Sequence, residues 1–380
     1  MKRVVFTLVL IFLLVGSLEL VANAGTLLLT QHGAMAYIPR LTDNEISELL
    51  TKIDPHVGWG TKTDQSGKVA NLSPRTDPSF TLNQPPCASV YGDSFTFGSG
   101  DGVGPDNTYP HHLGLNLGCP VYNYGIGGYG SDQSLMLYRA QSDLENAPLI
   151  IVGHLTENIL RNVNQYRNLL YPQSVEGFKP RFLLEANQLR FVPVPVRSVK
   201  DFRVLEQNPS LVLPYDAFVD RPLRSFPYTI SLVHWLLKDL HPRAKLLNRP
   251  RYLTFYELEH PSKGLQITIE ILATFVEDAR AQGKISIVLI IPVADDLKYA
   301  QEKGIWPEQN LVDGLTEIGI PTIHAGPAIL DNLNGLDPCT LYQPCNGHFT
   351  SAGYKLLADI VSNEIRTGGI WPSKETLFDR

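Results

Sequence analysis

The sequence predicts an α/β fold, a three-layer sandwich in which helices cover both faces of a central parallel sheet. From residue 87 onward, short apolar runs of four to seven residues alternate with amphipathic stretches. Such runs are typical of parallel strands that are buried on both faces. The alternation favours one sheet with right-handed crossovers. The five predicted strands are 88–91, 121–124, 149–152, 285–291 and 320–323.

The composition is that of an ordinary globular protein. The chain has 380 residues, 43% of them hydrophobic and 18% charged, which excludes a disordered or fibrous chain. Its net charge is -6, and it has no basic stripe that could neutralise a run of phosphates. We therefore expect no nucleic-acid partner.

The first residues predict export. Lys2 and Arg3 precede an apolar run over 4–15, and Ala22-Asn23-Ala24 supplies the small residues of a signal peptidase site. We expect a signal peptide over 1–24 that is cleaved after Ala24, leaving no membrane span. The alternative is an uncleaved anchor, because apolar residues continue to position 21. In the secreted or periplasmic space, disulfides can form.

The remaining chain is divided by its patterns into an extension, a main domain and an insertion. Residues 25–86 form an N-terminal extension packed on the main domain, with an amphipathic helix over 43–53 and Trp59 as a candidate cover for the site. The main domain covers 87–370. The insertion at about 166–261 exceeds one crossover and is expected near the mouth of the site.

One hairpin and four helices are further predicted within the main domain and its insertion. Residues 182–192 predict a hairpin with Asn187 in the turn, because two short apolar runs flank it. Three of the helices are predicted at 131–146, 265–281 and 351–365. The insertion adds a helix at 230–240, which carries His234 and Trp235.

The strongest chemical signal is a serine directly after the first predicted strand, in the segment 90–98. Gly92 permits a sharp turn, and Asp93 can accept backbone N–H bonds and brace the loop. Ligands of open α/β sheets bind at the carboxyl ends of the strands. Ser94 is therefore a candidate nucleophile, and its N–H a candidate donor to an oxyanion. The alternative is a plain helix N-cap turn.

A glycine-rich segment, 123–133, follows the second predicted strand. Gly125, Gly127 and Gly130 match the spacing of a dinucleotide-binding loop. That reading also needs an acidic residue at the end of the next strand, and the chain has Val152-Gly153-His154 there. We therefore favour a loop whose backbone N–H groups approach a ligand closely.

Two more segments complete the predicted site. Asn158, after the third strand, could donate to an oxyanion, or could cap the following helix. His348 opens the last helix and could reach Ser94 as a general base.

Together these four segments resemble the GDSL/SGNH hydrolase superfamily. Gly92-Asp93-Ser94 resembles its nucleophile block, with Phe95 in place of the usual leucine, and 123–128 resembles its second block. The resemblance implies a five-stranded flavodoxin-like sheet and ester hydrolysis through an acyl-serine. It also implies that Ser94 and His348 are catalytic and that the N–H groups of Ser94 and Gly128 bind the oxyanion.

Two positions depart from the superfamily pattern. The third block normally reads Gly-x-Asn-Asp, and here the first asparagine after Gly153 is Asn158; an anionic Glu157 would repel an oxyanion. The triad acid normally precedes the histidine by three residues, where this chain has Cys345. We predict Asp337 as the acid, and the alternative is a Ser–His dyad with a backbone carbonyl orienting the imidazole.

The four cysteines suit two disulfides. Cys87 and Cys119 each precede a strand, and these strands are neighbours in a flavodoxin-like order. Cys339 and Cys345 flank a short loop beside His348. We expect the pairs Cys87–Cys119 and Cys339–Cys345. The spacing of these residues does not suit zinc, so we expect no metal.

The sequence thus predicts an exported serine esterase that acts on an acylated carbohydrate, lipid or small-molecule ester. It would need no cofactor and would act as a monomer. The alternatives are an O-acyltransferase acting on a glycan and a non-catalytic carbohydrate-binding protein on the same fold.

Overall fold

The structure is a computed structural model, and it describes residues 2–70, 73–75 and 85–370. The described strands are β1 (Ala88–Gly92), β2 (Val121–Gly125), β3 (Leu149–Leu155), β4 (Arg181–Glu185), β5 (Gln188–Val192), β6 (Ile285–Ile291), β7 (Thr322–His324), β8 (Tyr342–Gln343) and β9 (His348–Phe349). The described α-helices are α1 (Lys2–Gln31), α2 (Asp43–Lys52), α3 (Ser94–Phe97), α4 (Tyr109–Leu117), α5 (Ser131–Gln141), α6 (Asn158–Asn162), α7 (Arg167–Leu170), α8 (Val199–Gln207), α9 (Pro209–Val212), α10 (Tyr228–Lys238), α11 (Leu240–Leu246), α12 (Gly264–Ala281), α13 (Ala294–Lys303), α14 (Gln309–Glu317), α15 (Ala325–Leu333) and α16 (Ser351–Thr367). Short 3-10 helices cover Pro105–Asn107, Leu253–Tyr256 and Pro338–Leu341.

The chain divides into two compact units. We call the first the N-terminal unit; it consists of Met1–Ile53, Asn164–Lys179 and Pro195–Arg251. The second, the sheet unit, consists of Asp54–Val163, Pro180–Val194 and Tyr252–Arg380. This division differs from the predicted one. Only the first part of the extension predicted over 25–86 belongs to the N-terminal unit, where it joins most of the insertion predicted at about 166–261.

The sheet unit contains a parallel five-stranded sheet in the order β2-β1-β3-β6-β7. The first strand lies between the second and third, which is the flavodoxin-like order, so the predicted fold class is confirmed. β1 is buried along its whole length, as expected for a strand covered by helices on both faces. Because all five strands are parallel, their carboxyl ends meet at one edge.

Most predicted elements agree with the structure to within a few residues. The hairpin is β4–β5, and its turn residues Ala186 and Asn187 both have positive φ, of 48° and 60°. The third strand runs three residues further than predicted, to Leu155. Its polar residue His154 is accommodated in the buried strand because Ser131 Oγ lies 2.7 Å from Nδ1 and Tyr256 Oη 3.2 Å from Nε2.

The cysteines pair as predicted. Cys87 bonds to Cys119, with Cα atoms 5.9 Å apart, and Cys339 bonds to Cys345. The first bridge joins the starts of two neighbouring strands, since β1 begins one residue after Cys87 and β2 begins two residues after Cys119. The second bridge closes the loop that holds β8.

The N-terminal unit is helical in its described part. Its longest helix, α1, has a most apolar 18-residue window with a mean hydropathy of 2.7, and it is long and apolar enough to cross a membrane. A signal sequence has the same properties. α2 begins with a capping box: Thr42 Oγ1 accepts from the N–H of Glu45, and the Glu45 carboxylate accepts from the N–H of Thr42.

Candidate active site

Ser94 lies on the turn that leaves β1. The Asp93 carboxylate accepts a hydrogen bond from the N–H of Phe95 at 2.9 Å, so Asp93 is the N-cap of α3 and Ser94 its first residue. Gly92 is required by close packing, because a Cβ at this position would lie 2.9 Å from Thr96 Cβ and 3.1 Å from the carbonyl oxygen of Gly153. β1 before the serine and the Asp93 cap of α3 therefore fix the backbone on both sides of Ser94.

The structure brings Ser94 and His348 together, as the sequence predicts. His348 Nε2 lies 2.9 Å from Ser94 Oγ, the distance expected for a nucleophile and its base. His348 begins β9, which is antiparallel to β8. Its ring packs on Phe95 with centroids 5.0 Å apart, and the neighbouring Phe349 ring contacts Phe95 at 5.4 Å. The residue that replaces the superfamily's leucine thus supports the imidazole.

The electrostatic surroundings keep His348 neutral near pH 7. Burial lowers the pKa of the imidazole below its ordinary value, because the charged form loses hydration. The carboxylates of Asp93 and Glu157 act in the opposite direction, and the Arg161 guanidinium lowers this pKa further. The balance is a lowered pKa, and the neutral ring is the form that accepts a proton from Ser94.

Asp337, the predicted triad acid, is placed elsewhere. Its carboxylate accepts from the N–H of Cys339 at 2.9 Å and caps the 3-10 helix Pro338–Leu341. Its side chain is 64% exposed and lies 3.9 Å from Lys298 Nζ. Within the described part of the chain, no hydrogen bond joins Asp337 to His348, and none joins His348 Nδ1 to a carboxylate. The structure therefore does not bring this predicted residue to the base.

Two backbone N–H groups at the site are available to a ligand. Across the described residues, neither Ser94 N–H nor Gly128 N–H donates to another group of the protein. Gly128 has a φ of 79° in the turn after β2, a conformation that glycine adopts readily. The N–H of Ile126 donates to the carbonyl of Gly92 at 3.1 Å. This bond joins the turn after β2 to the turn at 92–94 that carries Ser94, which we call the nucleophile turn.

Trp59 controls the direction of the Gly128 N–H. Its Nε1 donates to the carbonyl oxygen of Gly127 at 3.0 Å, and its own carbonyl accepts from Tyr129 Oη at 2.6 Å. The carbonyl of Gly127 and the N–H of Gly128 belong to one planar trans peptide and point in opposite directions. A bond that holds the carbonyl therefore also orients the N–H. The sequence marked Trp59 only as a possible cover.

Asn158 is a buried amide without a partner. It is 1% exposed and begins α6, and neither Oδ1 nor Nδ2 forms a hydrogen bond with any residue that the structure describes. Leaving a buried polar group unpaired costs about 1–3 kcal/mol. Such a group calls for an explanation, and a ligand that accepts from Nδ2 would provide one.

Arg161 is a site residue that sequence reasoning missed. Its Nη1 donates to Asp93 Oδ2 at 2.8 Å and to the carbonyl of Tyr129 at 3.0 Å. It therefore connects α6, which carries Asn158, to the nucleophile turn and to the segment 126–130 after β2, which we call the glycine loop. The available signal was an arginine one turn after Asn158 in a segment that is otherwise mostly uncharged.

A second polar cluster, also missed, holds the segment before Asn158. Thr156 Oγ1 and Tyr252 Oη each donate to Asp296 at 2.5 Å. Tyr256 Oη donates to the carbonyl of Thr156 at 2.6 Å. Burial raises the pKa of Asp296 well above its ordinary value, and nearby Glu308 adds to the shift. These bonds fix the backbone directly before the unpaired amide.

His154 has a structural role, and no metal site is found among the described residues. Burial lowers the pKa of His154 to about 3, helped by Arg161, so this ring is a neutral hydrogen-bonding residue of β3. In the described part of the chain, no group of three or more His, Cys, Asp or Glu residues is placed to hold a metal ion.

Comparison with known proteins finds similarity to solved structures. No family model matches the chain, and no curated protein matches it. A protein assigned to the lipolytic G-D-S-L family from Desulfitobacterium hafniense DCB-2 matches with a TM-score of 0.36 at 13% identity, over 73% of this chain and 97% of that one. An acetylxylan esterase from Geobacillus stearothermophilus has a TM-score of 0.39 at 12% identity, over 73% and 93%. A second acetyl xylan esterase, from the rumen bacterium Butyrivibrio proteoclasticus, has 0.33 at 10%, over 77% and 66%.

TM-scores this low carry no argument about activity. The fold itself is established by the strand order of this chain, which is the order implied by the GDSL/SGNH resemblance. The resemblance noted in the sequence is therefore confirmed for the fold.

The lowered pKa of His348 predicts the pH profile of any hydrolytic activity. The base must be neutral, and its pKa lies below the ordinary 6.5, so the acidic limb of kcat/KM should have its midpoint below pH 6.5. Glu157→Gln removes a carboxylate that raises this pKa and should move the acidic limb lower still. Glu364→Gln, at an exposed position, should leave the profile unchanged. A limb at or above pH 6.5 would contradict the assignment of the buried histidine as the base.

The unpaired amide predicts opposite effects of Asn158→Ala on rate and stability. If Asn158 binds the oxyanion, kcat should fall by about 10²- to 10³-fold. The melting temperature should stay the same or rise, because alanine removes an unpaired buried group. Asn162→Ala is the matched control on the same helix, since Asn162 Nδ2 donates to Thr268 Oγ1 at 2.9 Å, and it should lower the melting temperature. A destabilised Asn158→Ala with full kcat would assign this amide to the core.

Proposed function

We propose that this protein is an exported serine esterase of the GDSL/SGNH type. It would hydrolyse an O-acyl ester of a carbohydrate, a lipid or a small molecule. The observation that carries the proposal is the 2.9 Å contact between His348 Nε2 and Ser94 Oγ at the carboxyl edge of the sheet. The two available N–H groups and the unpaired Asn158 amide supply the donors that an acyl-transfer site needs.

The reaction proceeds in two halves. Ser94 Oγ attacks the acyl carbon while His348 Nε2 takes the hydroxyl proton. The carbonyl oxygen becomes an oxyanion, bound by the N–H groups of Ser94 and Gly128 and by Asn158 Nδ2. The intermediate collapses when the ester C–O bond breaks, and His348 returns the proton to the departing alcohol. In the second half, His348 takes a proton from water as the water attacks the acyl carbon of the acyl-serine. The bond between that carbon and Ser94 Oγ then breaks, the acid leaves, and His348 returns the proton to Ser94 Oγ.

The base acts in a Ser–His dyad. Asp337 is occupied as a helix cap, and among the described residues no other carboxylate is bonded to Nδ1 of His348. The Asp93 and Glu157 carboxylates, which both raise the pKa of this ring, favour the imidazolium through space instead. The dyad is the alternative that the sequence left open, and the position of Asp337 supports it.

Replacement of the nucleophile tests the function. Ser94→Ala should abolish hydrolysis of p-nitrophenyl acetate and labelling by a fluorophosphonate probe, without a large loss of stability, because it deletes one hydroxyl. Ser99→Ala, in the loop directly after α3, is the matched control and should keep both. Turnover retained in Ser94→Ala would refute the nucleophile. Absence of labelling and turnover in the folded wild-type protein would favour the non-catalytic binding protein.

The placement of Asp337 predicts a small effect of its replacement. Asp337→Asn should lower kcat by no more than about tenfold, because the imidazole keeps its orientation. Amide replacement of a true triad acid costs about 10⁴-fold in a serine protease. Steady-state kinetics on folded protein decides between them, with Asp331→Asn as a control for loss of a nearby carboxylate. A loss near 10⁴-fold would restore Asp337 as the acid.

A further inference from the structure

The N-terminal helix does not end at the predicted cleavage site. α1 continues through Ala24 to Gln31, and Ala22 is buried. Arg224 donates from Nη2 to Asn23 Oδ1 at 2.6 Å and from Nε to Thr26 Oγ1 at 3.3 Å. The small residues expected at a signal peptidase site thus lie inside a helix that is bonded to the rest of the N-terminal unit.

Glu19, the acidic residue in the apolar stretch, has a structural partner. Its carboxylate accepts from the N–H of Tyr228 at 2.8 Å and from the N–H of Thr229 at 3.2 Å. These are the first N–H groups of α10, so Glu19 caps that helix and its charge faces the positive end of the helix dipole. Cleavage after Ala24 would remove this cap.

The segment after α1 is bonded to the same region. Trp235 Nε1 donates to the carbonyl of Ala34 at 3.0 Å, and the N–H of Arg224 donates to the carbonyl of Ala36 at 2.8 Å. The second half of α1 and α10 therefore pack as one structure, held by polar contacts on both sides of Ala24.

α10, α11 and the residue that follows α11 expose an apolar surface. On α10, Ser231 and Trp235 face inward and are buried, whereas the opposite face is apolar and open. We call this surface the apolar platform. Its six residues are 48–84% exposed: Ile230, Val233, Leu236, Leu237, Leu246 and Leu247. Exposed apolar side chains of this number on adjacent helices mark an interaction site.

The charges beside the platform are positive. Lys238, Arg243 and Lys245 are exposed. The acidic residue between them, Asp239, is buried and bonded to Arg221 Nε at 2.6 Å. Apolar side chains flanked by lysine and arginine are typical of helices that lie in the interface of a membrane with anionic lipids.

The neighbouring α1 has the properties of a membrane-spanning helix. The part of α1 that precedes Glu19 would extend about 25 Å at 1.5 Å per residue, close to the hydrocarbon thickness of about 30 Å. Its apolar side chains from Val4 to Leu14 are at least half exposed. Lys2 and Arg3 at the start would keep that end on the cytoplasmic side.

We propose that α1 is retained as a membrane anchor and that the apolar platform lies in the lipid interface beside it. The occupant of the platform is the bilayer, because the platform is carried by α10, which packs directly on α1. A second copy of the chain fits less well, since pairing two platforms would bring their lysines and arginines together. The protein would then act at a membrane surface, and not as a free secreted protein.

Site-directed spin labelling of the full chain tests this proposal. The native cysteines are paired, so single cysteines can be labelled at Leu237→Cys and Leu246→Cys in the platform. Asn44→Cys, at an exposed polar position of α2 in the same unit, is the matched control. Each protein is purified from membranes and reconstituted in vesicles of phosphatidylcholine and phosphatidylglycerol. Accessibility to oxygen and to a water-soluble nickel complex is then measured, together with the intact mass.

The expected result is an intact mass that includes residues 1–24. The platform labels should be more accessible to oxygen than to nickel, and the Asn44→Cys label should show the reverse. Three outcomes would overturn the proposal. They are a mass that begins at Gly25 in protein released from membranes, platform labels as open to nickel as the control, or spin–spin broadening that places a second copy on the platform.

Discussion

The buried ion pair between Asp93 and Arg161 is the interaction on which the arrangement of the site depends. Arg161 joins α6 to the nucleophile turn through Asp93 and to the glycine loop through the carbonyl of Tyr129. The other oxygen of Asp93 caps the helix that begins with Ser94. Removal of one partner of such a pair typically costs about 3–5 kcal/mol, because the remaining charge is buried without compensation. One guanidinium thus sets the position of Ser94 relative to the elements that carry the Gly128 N–H and the Asn158 amide.

Around this pair, the protein keeps polar groups in place without satisfying all of them. Trp59 holds the carbonyl of Gly127 and so aims the Gly128 N–H, while the cluster around Asp296 fixes the backbone before Asn158. The Asn158 amide itself has no partner among the described residues. Donors that are oriented before the reaction need no reorganisation when charge develops on the substrate, which is the main source of their catalytic effect. The unpaired Asn158 amide lowers the stability of the free protein, and a hydrogen bond to an oxyanion would offset that loss.

The fold and the proximity of Ser94 to His348 could be predicted from the sequence, because both follow from local signals. Apolar runs indicate strands, and parallel strands bring their carboxyl ends to one edge, where Ser94 and the glycine loop meet. The contacts that could not be predicted join distant residues: 68 positions separate Asp93 from Arg161, and no periodicity indicates which arginine is buried. Asp337 was predicted to contact His348, and the structure does not place it there. Its preference for capping the helix that starts at the next residue, Pro338, outweighs a role beside the histidine.

No carboxylate among the described residues is bonded to His348, which leaves the question of how this half-buried imidazole would carry a charge during the proposed reaction. In the proposed mechanism Ser94 gives its proton to His348, and the resulting imidazolium forms where burial disfavours it. Asp93 and Glu157 lower the energy of that cation, and Arg161 raises it. Arg161 thus has two effects on His348. Its positive charge disfavours the imidazolium, but it also holds in place the Asp93 carboxylate, which favours the imidazolium. A Ser–His dyad is therefore consistent with this site, because the buried Asp93 and the half-buried Glu157 both raise the pKa of the ring through space.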